Sequence, residues 1–307
     1  MANVLTNLAA DIYKAADMVG RELVGFIPSI TVNAGAERAA LNDVVRSHFT
    51  RVATVVTPTP SMAIPEGTDQ TVDNKTLTVD TPLSVQIPWT GEDMKHVNNG
   101  SGFETIYGDQ GKQAFRAIVN AIEAKIAMAA KLGASRAYGT AGTTPFSSNF
   151  NELPQLRKIL ADNGCPMDGQ LSVIMNSTAG ANLRSLAQLQ KANEANSTEL
   201  LRQGTLLDLQ GFMLKESAGI APHTKGTGAS YVTSGATAPG VGSIALVTGT
   251  GTVLAGDVVT FAADAVNKYV VNTGVAAPGT IVLGDPGAQV TIATANALTV
   301  GNNYTPN

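Results

Sequence analysis

From Thr76 to Ile87 the apolar residues Leu77, Val79, Leu83, Val85 and Ile87 alternate with Thr76, Thr78, Asp80, Ser84 and Gln86. Period two describes a strand with one wet face and one covered face. At about 3.3 Å per residue such a strand runs roughly 40 Å, longer than the strands of ordinary globular domains. Val52 to Thr57 is β-prone as well, and the two runs predict an extended hairpin whose turn region carries Glu66, Asp69, Asp73 and Lys75. A two-stranded arm is marginal alone in water. The face bearing Leu77, Val79, Leu83 and Val85 therefore needs cover, and another copy of the protein is the expected cover. The pattern points to assembly.

A chain of 307 residues can bury a large core and usually divides into more than one unit. Charged residues make up only 14% of it and the net charge is -4, so it lacks the basic stripe with which electrostatic nucleic-acid binders neutralise phosphates. Cys165 is the single cysteine, which excludes a disulfide framework within the chain and zinc sites built on several thiolates. Met1 to Ala10 has no basic region ahead of an apolar stretch, and no run approaches the roughly 18 apolar residues that span a bilayer. The expectation is a cytosolic chain, in which the sequons at Asn74 and Asn176 are chance matches.

Leu5, Leu8, Ile12, Ala15, Ala16, Val19 and Leu23 fall at helical spacing, and Gly25 with Pro28 ends that helix. Pro58, Pro60, Pro65 and Pro82 mark the hairpin strands as edges, because proline donates nothing to a ladder. A long helix is predicted from Glu104 to Ala137, with a stripe of Tyr107, Phe115, Ile118, Val119, Ile122, Ile126, Ala129 and Ala130 opposite Lys112, Arg116, Glu123 and Lys131. A shorter helix follows from Leu153 to Asp162, then a buried strand from Leu171 to Met175, a helix capped by Ser177 or Thr178, and a turn and strand from Gly204 to Glu216. After His223 the charged residues thin to Lys225, Asp257, Asp264, Lys268 and Asp285. Short β runs at 244–248, 258–261, 269–271, 280–283 and 290–293 predict a small barrel or sandwich.

Chemistry is poorly represented. His48, His96 and His223 are far apart and lack metal-ligand spacing, so each reads as structural. Glu92 and Asp93 precede Lys95 and His96 as a solvated turn or helix cap. Gly249-Thr250-Gly251-Thr252 lacks the third glycine of a dinucleotide loop and the Lys-Ser/Thr ending of a phosphate loop, and reads as a hairpin turn. Ser177 is outside a nucleophile elbow, and Cys165 has no evident base. The expectation is a chain with no catalytic residues, no metal and no cofactor.

This order of elements resembles the major capsid proteins of tailed bacteriophages, in the short-tailed-phage branch whose coat protein carries a β-barrel insertion domain. Encapsulin shells share the underlying fold. The resemblance implies an α+β chain with the tailed-phage major capsid fold: residues 1–48 as N-terminal arm, 49–98 as extended loop, 99–170 as peripheral domain with the spine helix, 171–222 as axial domain and 223–307 as insertion barrel. Val52 to Ile87 would be the extended loop and Glu104 to Ala137 the spine helix. Leu171 to Asn176 and Gly204 to Ser217 would belong to the axial domain, and Gly256 to Phe261 to the barrel. In such proteins the chain returns from the insertion to add further strands. This sequence reads Tyr304-Thr305-Pro306-Asn307 where the return should begin, so those strands are expected to be absent.

The function implied is mechanical: pentamers and hexamers closing into an icosahedral shell around the phage DNA, without specific DNA binding or membrane contact. The partners implied are further copies of the chain, a scaffolding protein and a portal, and the location is the virion, assembled in the host cytoplasm. The subunit interface is expected to use Leu77, Val79, Leu83 and Val85, with Glu66, Asp69, Asp73 and Lys75 in rim charge pairs worth up to about 1 kcal/mol each. The rivals are an encapsulin-like shell, a phage tail or adhesin protein, and an enzyme.

Overall fold

The fold is taken from a computed structural model that describes residues 24–31, 40–50, 55, 57, 72–88, 90–92, 103–167, 169–191 and 208–307. It is a mixed α+β protein in two compact units, one formed by Met1–Ile30 with Trp89–Asn307 and the other by Thr31–Pro88. The N-terminal helix expected before Val24 lies outside the described residues, as do Glu66, Asp69 and the prolines at 58, 60 and 65.

In the smaller unit, β1 (Val44–Thr50) and β2 (Val72–Thr78) pair antiparallel from Val44↔Thr78 to Thr50↔Val72. The ladder runs on through Asn42 N–H to the Val79 carbonyl at 2.8 Å and Val79 N–H to the Asp43 carbonyl at 2.9 Å. At about 3.4 Å per residue the paired ribbon spans roughly 24 Å. The hairpin therefore differs from the sequence reading in both strands. In the ladder described the partner of β2 is Val44–Thr50, while most of Val52–Thr57 lies outside the described residues, and the second strand stops at Thr78 instead of reaching Ile87. Alternation continues past Thr78, but Pro82 and Pro88 remove ladder donors, and residues 79–88 lie outside any strand.

The larger unit is organised along α1 (Phe103–Gly133), whose 31 residues extend about 46 Å at 1.5 Å per residue. It begins and ends close to expectation, but its faces do not divide as the sequence suggests. Among its described side chains only Glu123 and Ala127 are buried, while Ile122 and Met128 are exposed. Glu123, expected in water, sits inside.

Next comes an α+β lobe. It comprises α2 (Glu152–Asp162), β4 (Ser172–Met175), α3 (Ser177–Ser185), α4 (Ala187–Gln190) and β5 (Met213–Glu216), with β4 and β5 parallel. Leu153, Val173, Met175, Leu183, Phe212 and Leu214 anchor its core. The cap of α3 is Asn176 and not Ser177 or Thr178: its Oδ1 accepts from the Ala179 amide at 2.8 Å.

The last part of the chain is a closed antiparallel sheet. With β3 (Arg136–Ala137), β6 (Val232–Thr233), β7 (Ser243–Val247), β8 (Val258–Phe261), β9 (Asp264–Thr273), β10 (Gly279–Leu283) and β11 (Leu298–Val300), the order is β11-β8-β9-β10-β7-β6. The two edges then meet: Val232 bridges Ala297, and the Leu298 amide donates to the Tyr231 carbonyl at 2.9 Å. This closure removes the edges and makes a barrel. Register shifts at Val259/Phe261 and Val282/Leu283 bend the long β9 around it. Tyr231, Ile244, Leu246, Phe261, Tyr269 and Ile281 fill the interior. The expected strand at 290–293 is instead an isolated bridge from Ile292 to Thr237, and the strand forms at β11. Gly249–Thr252 is not a hairpin turn, because β7 and β8 are not neighbours. Thr250 instead bridges Ala229, and a Cβ on Gly249 would collide with the Tyr231 ring.

Ile281 is fully buried at the centre of β10. Ile281→Ala is expected to cost about 2–5 kcal/mol through lost transfer energy and the cavity left behind. Chemical denaturation followed by near-UV circular dichroism measures it.

Candidate functional site

The residues singled out from the sequence lie on the smaller unit. Leu77 is 67% exposed, Leu83 39% and Val85 43%, with Val79 half-buried. Val44, Val72 and Ile87 add further exposed apolar surface. Asp73 stands opposite Phe49 and Lys75 opposite Ser47 in the ladder, with the Asn74–His48 rung between them. Glu66 and Asp69 lie outside the described residues.

Two buried ionic junctions in the larger unit escaped the sequence reading. The first is Glu123. Its Oε1 accepts from the amides of Gly25 and Phe26, each at 2.7 Å, and its Oε2 from the Ile27 amide at 3.0 Å. The Ser217 hydroxyl donates to Oε1 at 2.6 Å. One carboxylate thus joins the N-terminal segment, α1 and the end of β5. Burial alone would raise its pKa; the Ser217 hydroxyl and the three amides outweigh that and hold it below the usual carboxylate value. Close packing is needed for this: a Cβ on Gly25 would meet the Glu216 carbonyl oxygen and Ile174 Cγ2 at 2.8 Å. Beside it, Arg184 grips Glu216 through two contacts of 2.6 and 2.7 Å, tying α3 to β5.

The second junction is where the chain crosses into and out of the barrel. His223 and Tyr304 form an antiparallel bridge, with His223 N–H donating to the Tyr304 carbonyl at 2.7 Å. His223 Nε2 is 2.9 Å from Asp257 Oδ1, and its Nδ1 is 3.3 Å from Lys131 Nζ. Asp257 is fully buried and also accepts from the Gly226 and Leu254 amides. No spacing rule relates positions 131, 223 and 257, which explains why the sequence did not reveal them. The same helix end is held again by β3 on β9 and by Arg136, which reaches Asn267 at 3.2 Å and Asn163 at 3.1 Å. On the barrel, the Tyr269 hydroxyl donates to Asp264 at 2.5 Å, and burial first, then Asp264, pushes the phenol up to about 12.

A cleft of about 790 Å³ opens beside these groups, lined among others by Lys131, Arg136, Glu152, Asn176, His223 and Lys268. Its wall includes His223, whose partner Asp257 is spent on backbone amides, and no hydroxyl or thiol within hydrogen-bond reach of the imidazole is among the contacts described. Cys165 is half-buried, with its thiol against the Pro166 carbonyl. Among the described residues no group of three or more His, Cys, Asp or Glu could hold a metal, and no helix is long and apolar enough to cross a membrane.

No protein-family model matches the chain, and no curated protein matches it. Solved structures do match. One is a chain from Mycobacterium phage Che8, at 15% identity and a TM-score of 0.50, covering 92% of this chain and 88% of that one. The two share a fold across nearly their whole lengths.

Glu123→Ala leaves three backbone amides without their acceptor and is expected to destabilise the larger unit by about 3 kcal/mol or more. Because the folded carboxyl has the lower pKa, its contribution is present above the unfolded value of 4.5 and is lost as pH falls through the folded one. Unfolding midpoints between pH 7 and pH 3 should therefore fall less steeply in Glu123→Gln than in the native chain.

Proposed function

We propose that the protein is a shell subunit of a tailed bacteriophage: a major capsid protein that assembles into pentamers and hexamers of an icosahedral shell around the DNA genome. The observation that carries this reading is apolar surface left uncovered on the hairpin unit, with Leu77, Leu83 and Val85, and on α1, with Ile122 and Met128. Large apolar side chains in such number on extended elements are what an assembling chain needs and what a monomer avoids. The fold shared with a phage chain over 92% of the length supports the same reading. A net charge of -4 suits a wall that encloses DNA without gripping it.

The role is structural and not catalytic. Further copies of the chain are the main partners, a scaffolding protein and a portal the others, and the virion is the place of action, reached by assembly in the host cytoplasm. A phage tail or adhesin subunit is the second reading, favoured by the closed barrel, which leaves the long helix and the hairpin unused. An encapsulin-like shell differs in cargo only.

Negative-stain electron microscopy with light scattering on concentrated protein distinguishes these. Closed particles, or rings of five or six, are expected; fibres or isolated trimers would favour the tail or adhesin reading, and a persistent monomer in the presence of a scaffolding partner would sink the shell. Leu83→Asp with Val85→Asp is expected to abolish particles while shifting the unfolding free energy by only about 0.5 kcal/mol, since both side chains face solvent in the single subunit.

A further inference from the structure

The contacts around His223 accommodate only one charge state of the imidazole. A lysine ammonium is a donor without acceptor capacity, so the Nδ1 that stands 3.3 Å from Lys131 Nζ carries the lone pair. The ring proton is then on Nε2, directed at Asp257 Oδ1 at 2.9 Å. Asp257 accepts from two backbone amides besides, which suits the ionised carboxylate. The closed arrangement is therefore ammonium, neutral imidazole and carboxylate in a row.

Three titratable groups face this ring, each from a different element. Lys131 comes from the last turn of α1, Asp257 from the turn before β8, and Tyr304 from the segment that leaves the barrel, its ring tilted against the imidazole at 5.2 Å. The Tyr304 hydroxyl is engaged with the Gly256 carbonyl at 2.6 Å; burial, then Asp257, pushes it up to about 12, so it stays neutral throughout. Burial lowers the pKa of Lys131 and Asp257 opposes that shift. Gly256 closes the site from behind: a Cβ there would lie 3.1 Å from His223 Cε1 and 3.2 Å from Lys131 Cε.

We propose that Lys131, His223 and Asp257 form a pH-operated latch between the end of the long helix and the two strands that cross into and out of the barrel. With the imidazole neutral, Nδ1 holds Lys131 and with it the last turn of α1. Protonation places an N–H and a positive charge opposite the ammonium, so Lys131 loses its acceptor and is repelled. The bond to Asp257 survives as an ion pair, so the barrel stays shut and the release is confined to the helix end. The inference stands on these contacts and holds whether or not the chain builds a shell.

Hydrogen exchange on the full-length chain at pH 8 and pH 5.5, corrected for intrinsic rates and with the assembly state checked by light scattering, tests it. Acidification is expected to cost the 128–137 segment about ten-fold in protection, the scale of one lost hydrogen bond to a charged group, while barrel strands β9 and β10 keep theirs. Lys131→Met removes the cation with a side chain of similar length, and the pH step should disappear. His223→Gln should also flatten it, and if that variant fails to fold, Lys131→Met alone decides. Protection that does not change with pH, a step that persists in Lys131→Met, or loss of protection spread equally over the barrel would each overturn the latch.

Discussion

Glu123 is the contact on which the arrangement of the larger unit depends. A long helix with few buried residues has little apolar surface with which to fix its position, and here a carboxylate supplies what packing does not. Its oxygens meet three successive amides at the start of a tight turn and a serine hydroxyl at the end of a strand. Bare amides at such a turn present partial positive charge, so an anion can be buried among them without a cation. The geometry is demanding, which is why Gly25 cannot carry a side chain where it abuts Glu216 and Ile174.

The same economy recurs at the far end of the helix. Arg136, Lys131 and β3 all attach that end to the barrel by hydrogen bonds and charge, with little contribution from apolar packing. The two hydrophobic cores, one in the lobe and one in the barrel, draw none of the described side chains of α1. The helix is thus a strut joined to two solid bodies at polar joints. Its remaining apolar stripe stays half-exposed.

Much of this was legible in the sequence because it rests on local rules. Helical spacing placed α1 and α2 within a few residues, and Val258–Phe261 emerged as a strand with its observed limits. What failed was everything set by distant partners. Alternation alone could not say that Val44–Thr50 would pair with β2, nor that the strand would end at Thr78 ahead of Pro82. Polarity placed Glu123 in water, since a buried glutamate looks like a surface one until its acceptors find amides about a hundred residues away. Position 223 was an isolated histidine for the same reason, its partners being 92 and 34 residues distant.

The side-by-side crossing of His223 and Tyr304 has a consequence in polymer terms. Closing a loop costs entropy that grows only with the logarithm of its length, so two ends already one ladder rung apart impose almost no limit on what runs between them. The barrel closes its own edges and brings its own core, and so meets that cost from within its own folding. Lengthening a surface loop anywhere between His223 and Tyr304 would therefore leave the spacing of these two residues as it is.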